Sequence, residues 1–231
     1  MKIITCILLL VVGAALATTV MKKSQSGTGI VDFTKIAECN DFVKNPKKIT
    51  VDYKKLYDTE TKTTKCPNKD IWAYTTDFYK VINCFLRTNM GSKVAIPQYV
   101  RNSIDRIRRD LNSAPKGRIY NLKQGEVYRN TFIADTSRIR RGALFKNLSF
   151  LSTSTVKGAN EGFNKPGSYS LTLRSVRFVG KEISSCSKYA NEKEFLVDVG
   201  QCWQVTEVQG NRLVLNQVSY KSCAPGTFGD L

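Results

Sequence analysis

Apolar positions along this 231-residue chain change their period near residue 116. Between Ile71 and Leu86, Ile71, Tyr74, Phe78, Ile82 and Phe85 recur at three- and four-residue steps, which predicts one amphipathic helix with Asp70 as its N-cap. A second helix is predicted over Ile96–Leu111. Pro97 sits in its first turn, and Val100, Ile104, Ile107 and Leu111 form its buried stripe. The polar run 58–69 reads as a loop. Beyond Lys116 the pattern becomes strand-like over 118–122, 126–131, 143–154, 169–174, 194–199, 203–209 and 212–220. Gln209-Gly210-Asn211 predicts a hairpin turn between the last two. Helices followed by strands imply an α+β fold.

Composition narrows the class. An apolar fraction of 42% suits a globular domain with a sizeable core. Residues 1–17 combine Lys2, an apolar run from Ile7 to Leu16 and the small-x-small end Ala15-Leu16-Ala17. That pattern predicts a cleaved secretory signal, leaving residues 18–231 as a single secreted domain with no transmembrane segment. One of the seven cysteines, Cys6, leaves with the signal. The remaining six are an even set in an exported chain, so up to three disulfides are expected, with fifteen connectivities open. Asn147-Leu148-Ser149 is a sequon for N-glycosylation.

The chain has no histidine. This removes Ser-His-Asp and Cys-His catalysis and leaves acid–base work to carboxylates, lysine or tyrosine. Without histidine or a CxxC pair, no metal site is expected. The formal charge is +17, and residues 101–146 alone hold twelve Lys/Arg against four Asp/Glu. Such a surplus suits a solubility surface, or attraction of an anionic dinucleotide, an acidic protein target, a membrane surface or nucleic acid. Aromatics are not interleaved with these cations, which argues against single-stranded nucleic acid.

The sharpest local pattern is Glu192-Lys193-Glu194, followed by Phe195-Leu196-Val197. On a strand the two acids would share a face, with Cα atoms roughly 6–7 Å apart. Taken alone, the tripeptide equally describes a solvated strand end.

Two other segments precede it in order: Arg129 in Glu126-Val127-Tyr128-Arg129, then Ser152-Thr153-Ser154. An arginine, then Ser-Thr-Ser, then Glu-x-Glu, each on its own strand, resembles the R-S-E class of mono-ADP-ribosyltransferases. Ala73-Tyr74-Thr75 with Asn83 and Leu86-Arg87 resembles that family's N-terminal helix. Gly180, Ile183, Ser187 and Tyr189 lead into Glu192 at the family's spacing, and Trp203-Gln204-Val205 resembles its closing strand. The similarity spans about residues 70–210.

The resemblance implies a core of two mainly antiparallel sheets and NAD as co-substrate, with no metal. It implies transfer of ADP-ribose to the arginine of a protein target. The alternatives are NAD glycohydrolysis at the same site or a binding protein that has lost catalysis. By resemblance, Glu194 stabilises the ribose cation, Glu192 orients the acceptor guanidinium, and Arg129 and Ser152 organise the cleft. Phe163, Tyr74 and Ser187 match positions near NAD, and Tyr189 matches the aromatic that meets the target. Tyr74 also reads as core, Ser187 as a turn cap and Phe163 as a loop anchor. The family has glycine after its arginine where this chain has Asn130, which adds a side chain there. Similar enzymes often tie the chain's two ends, which implies Cys39–Cys223.

Overall fold

The computed structural model describes residues 33–88, 95–113, 125–133, 136–159, 166–176 and 178–223. The signal-like segment, the strand expected at 118–122 and Phe163 lie outside them. The N-terminal half is helical: α1 (Phe33–Lys44), α2 (Pro46–Lys48), a π-helical turn (Ile49–Tyr53), α3 (Lys54–Thr63), α4 (Lys69–Ala73), α5 (Tyr79–Thr88) and α6 (Gln98–Ser113). Eight strands follow: β1 (Glu126–Phe132), β2 (Leu144–Lys146), β3 (Leu151–Ser154), β4 (Ser168–Arg174), β5 (Gly180–Glu182), β6 (Glu194–Val197), β7 (Cys202–Gln209) and β8 (Arg212–Val218). This is the α+β order read from the sequence.

Four local expectations are corrected. The first half of the 58–69 segment is the end of helix α3, where Lys54 and Asp58 pair one turn apart. Asn68, not Asp70, caps α4, accepting from the backbone N–H groups of Asp70 and Ile71. Asp70 is instead buried and paired with Arg106. The helix expected over 71–86 breaks at Thr76 (φ −98°, ψ −168°). The Thr76 hydroxyl donates to the Ala73 carbonyl at 2.6 Å, a local bond that competes with the helix ladder. The strand expected over 143–154 is two strands, β2 and β3, parted by a bend at 147–150.

The hydrogen-bonded strand order is β2-β7-β8-β4-β1-β3-β6-β5. Only β4 and β8 pair in parallel. The β7–β8 hairpin closes with Gln209 opposite Arg212, and Gly210 takes φ +55° in its turn. β1 and β3 meet at a single register pair, Tyr128 with Ser154. The sheet therefore folds into two halves whose inner faces share one core. Leu151, Phe195 and Val197 come from one side, and Val127, Leu171, Leu173, Trp203 and Leu215 from the other.

The outer face of the β3–β6 half carries the helices. Phe150, Ile183 and Leu196 pack with Phe42, Phe78, Ile82, Val100 and Ile107 in a second core. By strand alternation Glu194 lies on the same face as Leu196, so this helical layer covers it.

Disulfides join Cys39–Cys84, Cys66–Cys186 and Cys202–Cys223. All six cysteines are used, as expected. The Cys39–Cys223 pairing is wrong: Cys39 anchors α1 to α5, and Cys223 folds back onto the start of β7. Asn147 is fully buried. Its amide donates to the Ser149 and Asp198 carbonyls and accepts from the Trp203 indole.

Candidate active site

Strand pairing builds the site. Antiparallel β3 and β6 place Ser154 opposite Glu194 and Ser152 opposite Leu196. The Ser152 side chain thereby lies diagonal to Glu194, and its hydroxyl donates to Glu194 Oε1. The other carboxylate oxygen accepts from the Ser187 hydroxyl at 3.2 Å. Arg129, from β1, donates through Nη1 to the Ser152 carbonyl at 2.6 Å. Arginine, serine and the second acid of the Glu-x-Glu pattern thus meet where three strands converge.

Glu194 is 6% exposed. Burial pushes its carboxyl pKa up. The Ser152 and Ser187 hydroxyls oppose that shift, the Glu192 charge adds to it and the Arg129 charge lowers it. Glu192 is half-buried, and burial raises its pKa as well.

The two acids do not share a strand. Glu192 ends a 3-10 turn (Ala190–Glu192), and Lys193 takes a left-handed conformation (φ 48°, ψ 50°) before β6 begins at Glu194. Lys193 is the one non-glycine residue with positive φ among the described residues. Backbone alternation was thus the wrong basis for bringing the acids together; a turn does it. That turn is held by the end of β3. Thr155 donates to the Lys193 carbonyl through its N–H (3.1 Å) and its hydroxyl (3.3 Å). The Ser154 hydroxyl donates to the Glu192 carbonyl at 2.8 Å. The Thr153 hydroxyl, on the opposite face of β3, donates to the Phe195 carbonyl at 2.6 Å.

Ser187 does more than cap a turn: it bonds Glu194 and also accepts from the Tyr189 N–H at 3.1 Å. Tyr189 itself is 51% exposed. Tyr74 is buried, edge-on to Phe150, and exchanges hydrogen bonds with the Asn83 amide. The charges of Glu194, Arg87 and Arg129 all reach its hydroxyl, while burial dominates and drives its pKa upward. It is a wall residue of the helical core beside the site. Asn130 accepts from Ser170 of β4 at 2.7 Å, on the face of β1 opposite Arg129.

Thr75 entered the sequence reading only within the Ala73-Tyr74-Thr75 match, with no role of its own. The kink at Thr76 leaves the Thr75 hydroxyl accepting from the Lys188 N–H at 3.0 Å, while Lys188 Nζ pairs with Glu60 at 3.3 Å. The helical layer thereby grips the segment that carries Ser187 and Glu192. No three-residue Cys/Asp/Glu group suited to a metal occurs among the described residues.

A family model described as ADP-ribosyltransferase exoenzyme matches residues 47–221. Among solved structures, the chain is similar to Vis toxin, an ADP-ribosyltransferase from Vibrio splendidus. Identity is 19%, over 80% of this chain and 93% of that one, with a TM-score of 0.52. A structure of Vis with agmatine gives 18% identity over 78% and 88%, with a TM-score of 0.55. Exoenzyme S from Pseudomonas aeruginosa, bound to human 14-3-3 protein beta and carba-NAD, gives 17% over 80% and 89%, with a TM-score of 0.53. At such identities the likeness shows a shared fold. No curated protein is matched by sequence.

Proposed function

Because the chain belongs to the ADP-ribosyltransferase exoenzyme family, we propose that it cleaves NAD at the nicotinamide–ribose bond and transfers ADP-ribose to arginine on a protein. The observation that carries this reading is a buried Glu194 held on both oxygens by Ser152 and Ser187, with Glu192 delivered beside it by the Lys193 turn.

The chemistry follows from that arrangement. The bond between nicotinamide nitrogen and ribose C1′ breaks, and its electron pair leaves with the neutral ring. C1′ is left electron-poor. The ionised carboxylate of Glu194, fixed before reaction, stabilises that charge where it develops. Arg129 braces β3 through the Ser152 carbonyl, so it positions Ser152 for Glu194. A guanidinium nitrogen of the acceptor then bonds to C1′, and its proton passes to the Glu192 carboxylate. A protonated guanidinium is a poor nucleophile, and a carboxylate both orients it and takes the proton. Tyr189, exposed beside Glu192, is placed to touch the protein that carries the arginine. NAD and that protein are the two substrates, and no step calls on a metal.

Glu192 supports arginine as acceptor, and the agmatine bound to Vis is an arginine-like guanidinium on a protein of the same fold. Three disulfides and the signal-like N-terminus support residues 18–231 acting as one secreted domain. The test is incubation with labelled NAD and agmatine. Nicotinamide release together with labelled agmatine is expected. NAD consumption with no labelled guanidine would return the glycohydrolase reading, and no NAD consumption would refute both.

A further inference from the structure

We propose that a groove beside the acceptor turn docks an acidic segment of the protein acceptor, an inference that rests on the transfer reading above. The groove encloses about 1100 Å³ between α3–α4, α6 and the β5–Cys186 segment. It is apart from Glu194.

Two of its three lining carboxylates are paired with cations of its own walls, and the third, Glu182, is exposed. Asp70 is buried and receives Arg106 twice, at 2.5 and 2.9 Å, and the Tyr57 hydroxyl at 2.9 Å. Asp110 takes Lys181 at 3.0 Å and the Asn68 amide at 3.0 Å, bonds that span the groove. Glu182 accepts from the Ser184 hydroxyl at 3.1 Å. Three further lining cations, Lys62, Lys69 and Arg109, are exposed and have no carboxylate partner among the described residues. With five lining cations against three lining carboxylates, two of them already paired, the groove presents a positive field to whatever enters it. The Cys66–Cys186 disulfide fastens one wall to the other, so the shape exists before binding.

Position selects the occupant. Cys186 lines the groove, Ser187 holds Glu194, and Glu192 lies six residues further on. Even fully extended, those residues span only about 20 Å. A protein whose arginine reaches Glu192 therefore has surface within about 20 Å of the groove's Cys186 end. Acidic residues there would meet the unpaired cations, and such charge matching sets partner choice and encounter rate.

The probe is a fluorescein-labelled peptide with one arginine, a Gly/Ser spacer and a run of glutamates. Its control carries glutamines. Fluorescence anisotropy reads binding without catalysis, and agmatine labelling is measured on the same preparations. The glutamate peptide is expected to bind, more weakly as salt rises, and the glutamine peptide is not. Lys62→Glu/Lys69→Glu/Arg109→Glu should weaken binding by about tenfold or more and leave agmatine labelling unchanged. If that triple variant does not fold, Lys69→Gln/Arg109→Gln should give a smaller loss in the same direction. Equal binding of the two peptides, or undiminished binding by a folded variant, overturns the proposal. Binding of a heparin oligosaccharide but not of the glutamate peptide overturns the assignment to a protein segment. A wild-type chain that binds the peptide yet never labels agmatine refutes the transfer reading alone.

Discussion

At the residue scale, Glu194 is an acid whose burial opposes the charge its proposed role requires. Its folded pKa is raised by that burial, while the unfolded value stays in the ordinary carboxylate range near about 4.3. The folded state therefore holds the proton more tightly. Stability falls as pH rises from the unfolded pKa through the folded one, and the deficit persists at neutral pH. Glu194→Gln keeps the shape without the charge. Its Tm should exceed that of the wild type at pH 7, and the gap should close below the ordinary carboxylate range. A Gln variant less stable at neutral pH would contradict this. Nicotinamide release should drop by about 10²–10³ or more. In the wild type, activity should decline on acidification with a midpoint above the ordinary carboxylate value. Glu192→Gln tests the division of labour. Hydrolysis needs only the ribose charge stabilised, so NAD cleavage should largely survive while agmatine labelling is lost. Parallel loss of both would show that Glu192 also serves NAD.

At the element scale, the turn from Ala190 to Lys193 decides how the two acids meet. A left-handed residue with a Cβ costs roughly 1–2 kcal/mol. Lys193 is held there by the Thr155 contacts to its carbonyl. Lys193→Gly should keep the turn and gain up to about 1 kcal/mol in stability. Lys193→Val should resist the conformation, displace Glu192 and lower the ratio of agmatine labelling to NAD hydrolysis. Thermal melts and the two assays on one preparation check both; a Val variant with an unchanged ratio would mean the turn does not set the acceptor site. The same turn marks what the sequence could convey. Arg129, Ser152 and Glu194 were legible only through the resemblance of their order on three strand-like segments to the family's arginine, serine and glutamate pattern. The geometry between Glu192 and Glu194 was not, since lysine carries none of the preference for positive φ that glycine or asparagine would show. The Thr76 break was hidden for a similar reason: Ile71, Tyr74, Phe78 and Ile82 keep helical spacing across it. Helix α3 was missed because Lys54–Thr63 has no fully buried residue and only Leu56 and Tyr57 as large apolar residues. Its position follows from contacts remote in sequence, such as Tyr57 with Asp70 and Arg106. Three-residue β5 is too short to leave a pattern.

At the scale of the whole molecule, Cys66–Cys186 ties the helical layer to the segment after β5, Cys39–Cys84 joins two helices and Cys202–Cys223 fastens the C-terminal turn to β7, and their loops differ in length. The sequon fails for a related reason of global packing: with both amide atoms of Asn147 engaged in the core, a folded chain made in a glycosylating host should carry no glycan there, as intact mass would show. Counting cysteines gave the number of bridges but not their partners, because pairing is set by which elements the fold brings together. Cys66–Cys186 closes 120 residues, Cys39–Cys84 closes 45 and Cys202–Cys223 closes 21. In the chain-entropy model these constrain the unfolded state by roughly 5, 4 and 3 kcal/mol. Removing each pair as a double alanine variant should therefore destabilise in that order, measured by urea unfolding under non-reducing conditions. The denatured wild type should present no reactive thiol among its six mature cysteines. Cys66–Cys186 has a second consequence, since it anchors the segment whose next residue, Ser187, holds Glu194. Its removal should lower nicotinamide release even at temperatures where the variant remains folded. Loss of Cys202–Cys223, which lies on β7 in the other half-sheet, should cost stability without that kinetic effect. If the two variants, both folded, lost activity equally, the disulfide would be a staple of the fold alone and the coupling from Cys186 through Ser187 to Glu194 would be refuted.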